Sequence, residues 1–481
     1  MRVLLPVLVV IAAVAAGCSP VKNYHIDTSE NITVLSAGSG AEEIDSTFAG
    51  FSYEKSILSK PFFTASNLSM IKLFRLLGPG VLRIGGNSVN KTSWGGPGNS
   101  GKGSKSGNTL TGDIDNLAEF LKASGWKVIY GLNGTSSPPE LTASEAAYAA
   151  SKLGDSLYGF EIGNEPDLYW HNSLEGSGFS FDDFINLWLR YYSSINSAIT
   201  DHSPAFSGPA TASDYKKYTV PFAIKLGTKV NLLTHHYYVA NGTAQPRPTI
   251  DRLLTSLSPE NNGHLLRELE AIKKAADSYV SGRYRIAEAN SFYNGGAPDV
   301  SNNFGSALWA LEFCFLLAQN GACGVNFHGG GNSTGYTPIA NDRNGRIIEA
   351  RAEYYGILLF SLVANGKLMK VEQTGGASSL YSYAVDERDG TCSLIIVNNS
   401  RFEKVDATVK FTETFIEASA MVLTAPNVDS TNGVTLGGSQ VKPDGTWEPM
   451  PRIAMKVGDE GRSLEVSVAP GSAEWIKLTR N

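Results

Sequence analysis

Between about residue 46 and residue 365, short apolar runs alternate with stretches whose apolar residues recur every three to four positions. The short runs fall at 49–52, 81–84, 128–131, 158–162, 205–207, 230–235, 284–287 and 324–327, and each is predicted to be a β-strand. The longer stretches carry helical stripes. Ile114, Leu117, Ala118 and Leu121 lie at i, i+3, i+4 and i+7 and stop at Gly125. Phe184, Leu187, Trp188 and Tyr191 repeat that spacing after a capping Ser180. Ala307, Leu308, Leu311 and Phe315 form another stripe, and a last helix is predicted over 347–363. Eight strand–helix units in succession predict an α/β fold, a closed (β/α)8 or TIM barrel over residues 37–366.

Beyond about residue 370 the apolar period shortens to two. Runs at 380–385, 392–397, 405–411, 420–423, 464–468 and 474–478 are separated by turn signals such as Asp389-Gly390 and Pro470-Gly471. They predict a C-terminal antiparallel β-sandwich domain at 367–481. The early strand 31–35 is expected to join it, which assigns 24–36 to the same domain. The first residues read differently. Arg2 precedes an apolar run at 4–16, too short to span a bilayer, that ends in Ala15-Ala16-Gly17-Cys18. Residues 1–18 are expected to be an export signal. Small residues ahead of Cys18 favour a bacterial lipoprotein anchored to the membrane through that cysteine, in the periplasm or at the cell surface. A plain secretory signal is the alternative.

Composition narrows the field. The net charge of −6 gives no electrostatic reason to hold nucleic acid. Cys314, Cys323 and Cys392 make neither a disulfide framework nor a metal-ligand spacing, and no metal is expected. Sequons stand at Asn31, Asn67, Asn90, Asn133, Asn241, Asn332 and Asn398. Glycans at Asn133 and Asn332 would obstruct the face expected to carry the site. That favours a bacterial source, or sequons that arose by chance.

Reactive groups of such barrels sit at the C-terminal ends of the strands. Strand four runs into Gly163-Asn164-Glu165-Pro166, and strand seven into Glu288-Ala289-Asn290. A lone glutamate at a strand end is usually solvated or salt-bridged. A pair on strands four and seven faces across the barrel mouth. Retaining glycoside hydrolysis needs two carboxyls about 5–5.5 Å apart, one a proton donor and one a nucleophile. Glu165 is the expected general acid/base and Glu288 the expected nucleophile. The Asn164 amide suits the sugar 2-hydroxyl.

The Asn-Glu-Pro motif with the strand-seven glutamate resembles the clan of retaining TIM-barrel glycosidases. More narrowly the chain is similar to glycoside hydrolase family 79, which holds β-glucuronidases and heparanases. Gly50-Phe51-Ser52-Tyr53-Glu54, Leu82-Arg83-Ile84-Gly85-Gly86-Asn87, Gly131-Leu132-Asn133, His235-His236-Tyr237-Tyr238 and Glu288-Ala289-Asn290-Ser291 carry that similarity. The resemblance implies retention of the β-configuration without metal or organic cofactor, and a glycan substrate bearing β-linked uronic acid. It also implies a cradle for the sugar carboxylate from Tyr293, Gly295 and Tyr336. Two stretches depart from the family's pattern. Ser88-Val89-Asn90 stands where many relatives have an acidic residue, and Ala287 precedes the nucleophile.

Supporting roles stay open in the sequence. Arg83 either orients Glu288 or forms a structural ion pair. Tyr238 or His236 bonds the nucleophile, or the paired histidines satisfy backbone groups. Asn87 and Asn133 are candidates for sugar hydroxyls, and Ser52 and Glu54 for its far hydroxyls. His328 lines the pocket or is simply packed. The expectation is an exo-acting β-glucuronidase. Heparanase-like endo cleavage would call for larger basic clusters than Lys216-Lys217 and Lys273-Lys274. A 4-O-methyl-glucuronate-specific uronidase, a neutral-sugar β-glycosidase of the clan, and a non-catalytic carbohydrate-binding lipoprotein are the other readings.

Overall fold

The computed structural model describes residues 25–96, 108–201, 203–280, 283–331, 335–376 and 378–480. The export signal, Cys18 and the Asn332 sequon lie outside these residues. All eight predicted runs become parallel strands of one closed barrel: Ala49–Glu54, Val81–Gly85, Lys127–Leu132, Leu157–Ile162, Phe206–Thr211, Leu232–Asn241, Tyr284–Tyr293 and Ala322–Gly329. Each pairs with the next in chain order, and the eighth closes on the first.

Three strands run four to six residues past their predicted ends. The fifth continues through Gly208 and Pro209, residues that commonly end strands. The sixth and seventh extend to Asn241 and Tyr293. Their added residues include the polar groups His236, Tyr238 and Glu288 at the mouth, so the apolar run stops before the strand does. His236, Tyr238 and Glu288 therefore sit on rigid strand rather than on loops.

The helices follow from their caps. Ser180 Oγ accepts the Asp183 amide at 3.2 Å while Asp183 accepts the Ser180 amide at 2.9 Å, a reciprocal box opening helix Phe181–Ala198. Gly125, with φ of 79°, closes helix Thr111–Ser124 in the left-handed region open to glycine. The last helix is shorter than predicted and spans Ala352–Val363. Ile347–Ala350 instead forms a hairpin with Ile339–Asn341 around Asn344-Gly345. Four residues with apolar ends fit a strand as well as a helical turn, and the Asp342 carboxylate, bonded to the Asn344 and Arg346 amides, decides for the turn.

Helices Gly305–Gln319 and Ala352–Val363 have almost no polar face because they lie between barrel and sandwich. Phe315 stacks on Tyr383 of the sandwich at 4.4 Å, and Phe360 meets Phe48 of the barrel at 5.1 Å. Carbonyls of Val428 and Ser430 accept the otherwise unpaired amides of Gly305 and Phe304.

The C-terminal region holds all six predicted strands in two sheets. Strand His25–Val34 runs parallel to Glu403–Phe411 and antiparallel to Val371–Thr374, so the chain's first strand is part of this sandwich. Short strands at Glu43–Ile44, Gly366–Met369, Thr435–Leu436 and Ile453–Met455 escaped the sequence reading, being two to four residues long. The first of them pairs with Gly366–Met369, which places residues 43–44 with the sandwich sheet rather than in the barrel. Cys314, Cys323 and Cys392 are buried free thiols.

Candidate active site

Arg83 organises the mouth from within. Its side chain is fully buried, and three of its nitrogens reach different partners: Glu161 at 2.6 Å, Glu288 at 2.8 Å and the Asn164 side-chain oxygen at 2.8 Å. Both sequence alternatives for Arg83 thus hold together, since one guanidinium makes the internal ion pair and orients Glu288. A planar fork of fixed donors suits this, where a point-like ammonium would not. Because Asn164 accepts from Arg83, its NH2 group is turned the other way, 3.5 Å from Asn87 Oδ1. Asn90 holds the Asn164 carbonyl at 3.1 Å.

Glu165 follows in an unusual backbone state. Its φ is 53°, left-handed for a residue with a β-carbon and next to a proline. The preceding Gly163 is also left-handed, and a β-carbon there would come 2.1 Å from the Tyr169 hydroxyl. The Glu165 amide bonds the Ala210 carbonyl at 2.9 Å, and its carboxyl Oε1 lies 3.1 Å from His236 Nδ1. Glu288 receives the Tyr238 hydroxyl at 2.8 Å on Oε1 and Arg83 on Oε2. Carboxylate oxygens of Glu165 and Glu288 approach within 4.8 Å, bracketing His236.

The two carboxyls are held in opposite states. Burial, then the negative charge of Glu288, then that of Asp167, push Glu165 up to about 8. Burial also works against ionising Glu288, but positive charge on His328, His236 and Arg83 and the Tyr238 hydroxyl overcome it and hold this carboxyl far below the usual range. At neutral pH His236 is itself uncharged, since burial pushes it down to about 3. The permanent charge of Arg83 and the Tyr238 bond then keep Glu288 ionised.

Glu165, His236 and Glu288 are the one cluster of metal-ligating groups this close among the described residues. His236 Nδ1 is bonded to Glu165, and both Glu288 oxygens are taken by Tyr238 and Arg83. A guanidinium bonded to the same carboxylate already supplies the positive charge an ion would bring. The donor set fits acid–base work better than ligation.

The remaining predicted residues divide. Tyr336 packs 5.9 Å from Tyr238 and 6.0 Å from His328, and its hydroxyl accepts the Gly295 amide. The loops after strands seven and eight touch so closely that a β-carbon on Gly335 would lie 1.5 Å from the Gly295 carbonyl oxygen. Tyr293 ends strand seven at the rim, edge-on to Tyr238 at 6.3 Å. His328 is buried, 3.0 Å from Ser52 Oγ and 3.6 Å from Glu288. Glu54 accepts the Asn87 and Ser88 amides at 3.2 and 2.7 Å, which sets the loop bearing Asn87.

Two expectations need correction. Asn133 does not face a sugar. Its side chain donates to Thr92 and Ser136 and accepts amides of Thr135 and Ser136, organising its own loop. Ser52 is wholly buried and bonds His328 and Arg83 instead of reaching the cleft. The sequons at Asn90, Asn133 and Asn398 are buried too, so none of these three side chains is open to a glycan in the fold. Three contributors were missed. Glu161 pairs with Arg83 and accepts Thr234 at 2.9 Å, and Asp167 takes the amides of Ala212, Ser213 and Asp214. Glu161 had a signal: a charge inside an apolar strand needs a buried partner. Thr234 and Asp167 had none.

Known proteins bear on this geometry. No family model matches the chain. It is 26% identical over 405 residues to a β-glucuronidase of Aspergillus niger, covering 74% of this chain and 73% of that one. It is 28% identical over 251 residues to a β-glucuronidase of Neurospora crassa, covering 47% and 43%. Heparanase of Mus musculus is 27% identical over 216 residues, covering 43% and 39%. In structure it matches a 4-O-α-L-rhamnosyl-β-D-glucuronidase from Fusarium oxysporum at a TM-score of 0.75 and 15% identity, over 93% of this chain and 100% of that one. A family 51 arabinofuranosidase from Xanthomonas axonopodis gives 0.70 at 15% identity, over 94% and 100%. At such identities the structural likeness speaks for the fold, a barrel with an attached sandwich. The sequence relatives are the β-glucuronidases and heparanases that the motifs resemble.

Proposed function

We propose that this chain, a glycoside hydrolase similar to β-glucuronidases and heparanases, releases terminal β-linked glucuronic acid with retention of configuration. The observation carrying this reading is the carboxyl pair within 4.8 Å, one held protonated and one ionised. In the first step a Glu288 oxygen bonds the anomeric carbon as the glycosidic C–O bond breaks. Glu165 gives its proton to the departing oxygen. In the second, Glu165 takes a proton from water, the water oxygen bonds the anomeric carbon, and Glu288 leaves. The fall of Glu165 to a working base is built in: once Glu288 is esterified, the negative charge that raises Glu165 is gone.

The Asn164 NH2, fixed by Arg83, is the donor for the sugar 2-hydroxyl. Tyr336 and Tyr293 form the cradle for the glucuronate carboxylate, with the Gly295 amide turning to it from the Tyr336 hydroxyl. Several converging neutral donors hold an anion without a cation. Asn87 and Glu54 lie at the far side of the same sugar. Exo action is preferred over heparanase-like endo cleavage because the chain is acidic, with a net charge of −6, and its basic clusters are small. The reading includes export, with Cys18 as the lipid attachment point.

The test is hydrolysis of p-nitrophenyl β-D-glucuronide beside the matching glucoside, xyloside and galactoside, with Glu288→Ala as control. Activity on the glucuronide alone, reduced on the order of 10⁴-fold in the variant, is expected. Activity on a neutral sugar would keep the mechanism and remove the carboxylate cradle. An undiminished Glu288→Ala enzyme would overturn the assignment altogether.

A further inference from the structure

Strand six, Leu232–Asn241, aims His236 at Glu165 and Tyr238 at Glu288. Its ladder is interrupted on both sides just before these residues. Against strand five, Thr234 pairs with Pro209 and His235 with Thr211, so Ala210 is skipped. Against strand seven, His235 pairs with Ile286 and His236 with Glu288, so Ala287 is skipped. An extra residue of this kind bends a strand and re-aims the side chains beside it. Ala210 has a left-handed φ of 57°, and its amide bonds Thr234 Oγ1 at 3.0 Å in place of a ladder carbonyl. Regular pairing thus gives way where strand six must be placed most closely.

His235 holds this point from behind. Successive side chains of a strand face opposite ways, so His236 points into the barrel and His235 out toward the helices. There His235 is buried, and both of its ring nitrogens are bonded. Nε2–H donates to Glu268 Oε1 at 2.7 Å, and Nδ1 lies 2.9 Å from Thr219 Oγ1. Glu268 belongs to helix Gly263–Tyr279. Thr219 ends a single π-helical turn, Tyr215–Thr219, a wide turn frequent at functional sites. Two elements therefore grip one imidazole from two directions. Apolar side chains of similar volume would stabilise this position as well as a buried histidine and carboxylate do. What the polar group adds is direction.

Glu165 is the group most exposed to a loss of that direction. Glu288 is held by Arg83 as well as by Tyr238. His236 is the one side chain bonded to the Glu165 carboxyl among the described residues.

We propose that Thr219, His235 and Glu268 form a clamp that fixes strand six so that His236 Nδ1 meets Glu165, which makes them positioning residues for proton donation to the leaving group. The inference rests on Glu165 as the acid/base and holds for whichever sugar is cleaved.

The test compares kcat/KM on phenyl and 2,4-dinitrophenyl β-D-glucuronide, with the melting temperature of each variant beside it. Phenoxide needs the Glu165 proton to leave, whereas dinitrophenoxide, a far weaker base, leaves without it. Glu165→Ala is expected to lose the phenyl substrate about 10²-fold or more beyond any loss on the other. Glu268→Leu is expected to lose the phenyl substrate about tenfold and the dinitrophenyl substrate less than about twofold. Glu268→Gln, whose amide oxygen still accepts Nε2–H, is expected to stay within about threefold of the parent on both. Should Glu268→Leu not fold, Thr219→Val removes a single hydroxyl and carries the same comparison, with a selective loss of about threefold expected. Equal losses on the two substrates, or a Glu268→Gln enzyme as slow as Glu268→Leu, would overturn the clamp while Glu165→Ala stays selective. A Glu165→Ala enzyme that loses both substrates equally would remove the acid/base assignment and the clamp with it. If glucuronides are inert and a neutral glycoside is cleaved, the uronate reading fails alone, and the same pair of leaving groups on that sugar decides the clamp.

Discussion

Arg83 and Arg285 are both fully buried inside one barrel, the first near its mouth and the second near its floor. Arg83 meets two carboxylates, Glu161 and Glu288, which more than offset burial and raise its proton affinity. Arg285 meets only neutral oxygens: the Asn326 side chain at 2.6 Å and carbonyls of Phe48, Cys323 and Val325 at 3.0–3.3 Å. Burial lowers its proton affinity. Gly50 and Gly324 make room for it, since β-carbons there would come 2.9 and 2.0 Å from its guanidinium. One residue type, equally buried, closes the floor in one case and sets the ionisation of a facing carboxylate in the other. Burial does not mark the active site; the ionisable partners do.

Replacing each arginine separates the two roles. Arg83→Met strands two buried carboxylates and should cost about 3–5 kcal/mol in urea unfolding. It should also move the acid limb of kcat/KM upward as Glu288 loses its cation. Arg285→Met strands no charge. It should cost less, about 1–3 kcal/mol, through carbonyls left unpaired, with the pH profile in place. Equal losses, or a shifted profile in Arg285→Met, would erase the distinction.

Buried glutamates sharpen it further. Burial raises Glu165, Glu312 and Glu353 alike to about 8. Only Glu165 faces a second, ionised carboxyl. For it, kcat/KM of the free enzyme should fall as pH rises through about 8, because the proton that must be donated is lost there. Glu312 faces Asn399, Tyr381 and Tyr383 where barrel and sandwich meet. Its folded-state value lies above the ordinary 4.5, so the folded chain binds the proton more tightly and stability falls between pH 4.5 and about 8. Glu312→Gln should come close to the parent at pH 5 and exceed it by about 3–4 kcal/mol at pH 8 in thermal unfolding, with activity unaltered. A variant equally stable at both pH values relative to the parent would show that Glu312 is ionised in the fold.

The eight barrel strands were legible because each carries an apolar core flanked by helical periodicity. The facing carboxyl pair was legible because Asn164-Glu165-Pro166 and Glu288 occupy strand ends that only a barrel brings together. Strand lengths were not, since His236, Tyr238 and Tyr293 continue their strands in polar side chains that periodicity does not register. Asn133 misled because an asparagine after a strand serves its own loop as readily as a ligand. Asp167 and Thr234 act through backbone amides and a neighbouring carboxylate, contacts that exist only after folding. The helix expected at 347–363 failed over four residues that a turn at Asn344-Gly345 redirects.

The account turns on Glu288 forming a bond to the sugar with Glu165 assisting from the other face. The anomeric configuration of the first-formed product, followed by proton NMR during rapid hydrolysis of p-nitrophenyl β-D-glucuronide, reads this directly. β-Glucuronic acid appearing before its α-anomer is the result predicted by carboxyls within 4.8 Å. The α-anomer appearing first would mean that water attacks directly, and would contradict the roles assigned to both glutamates.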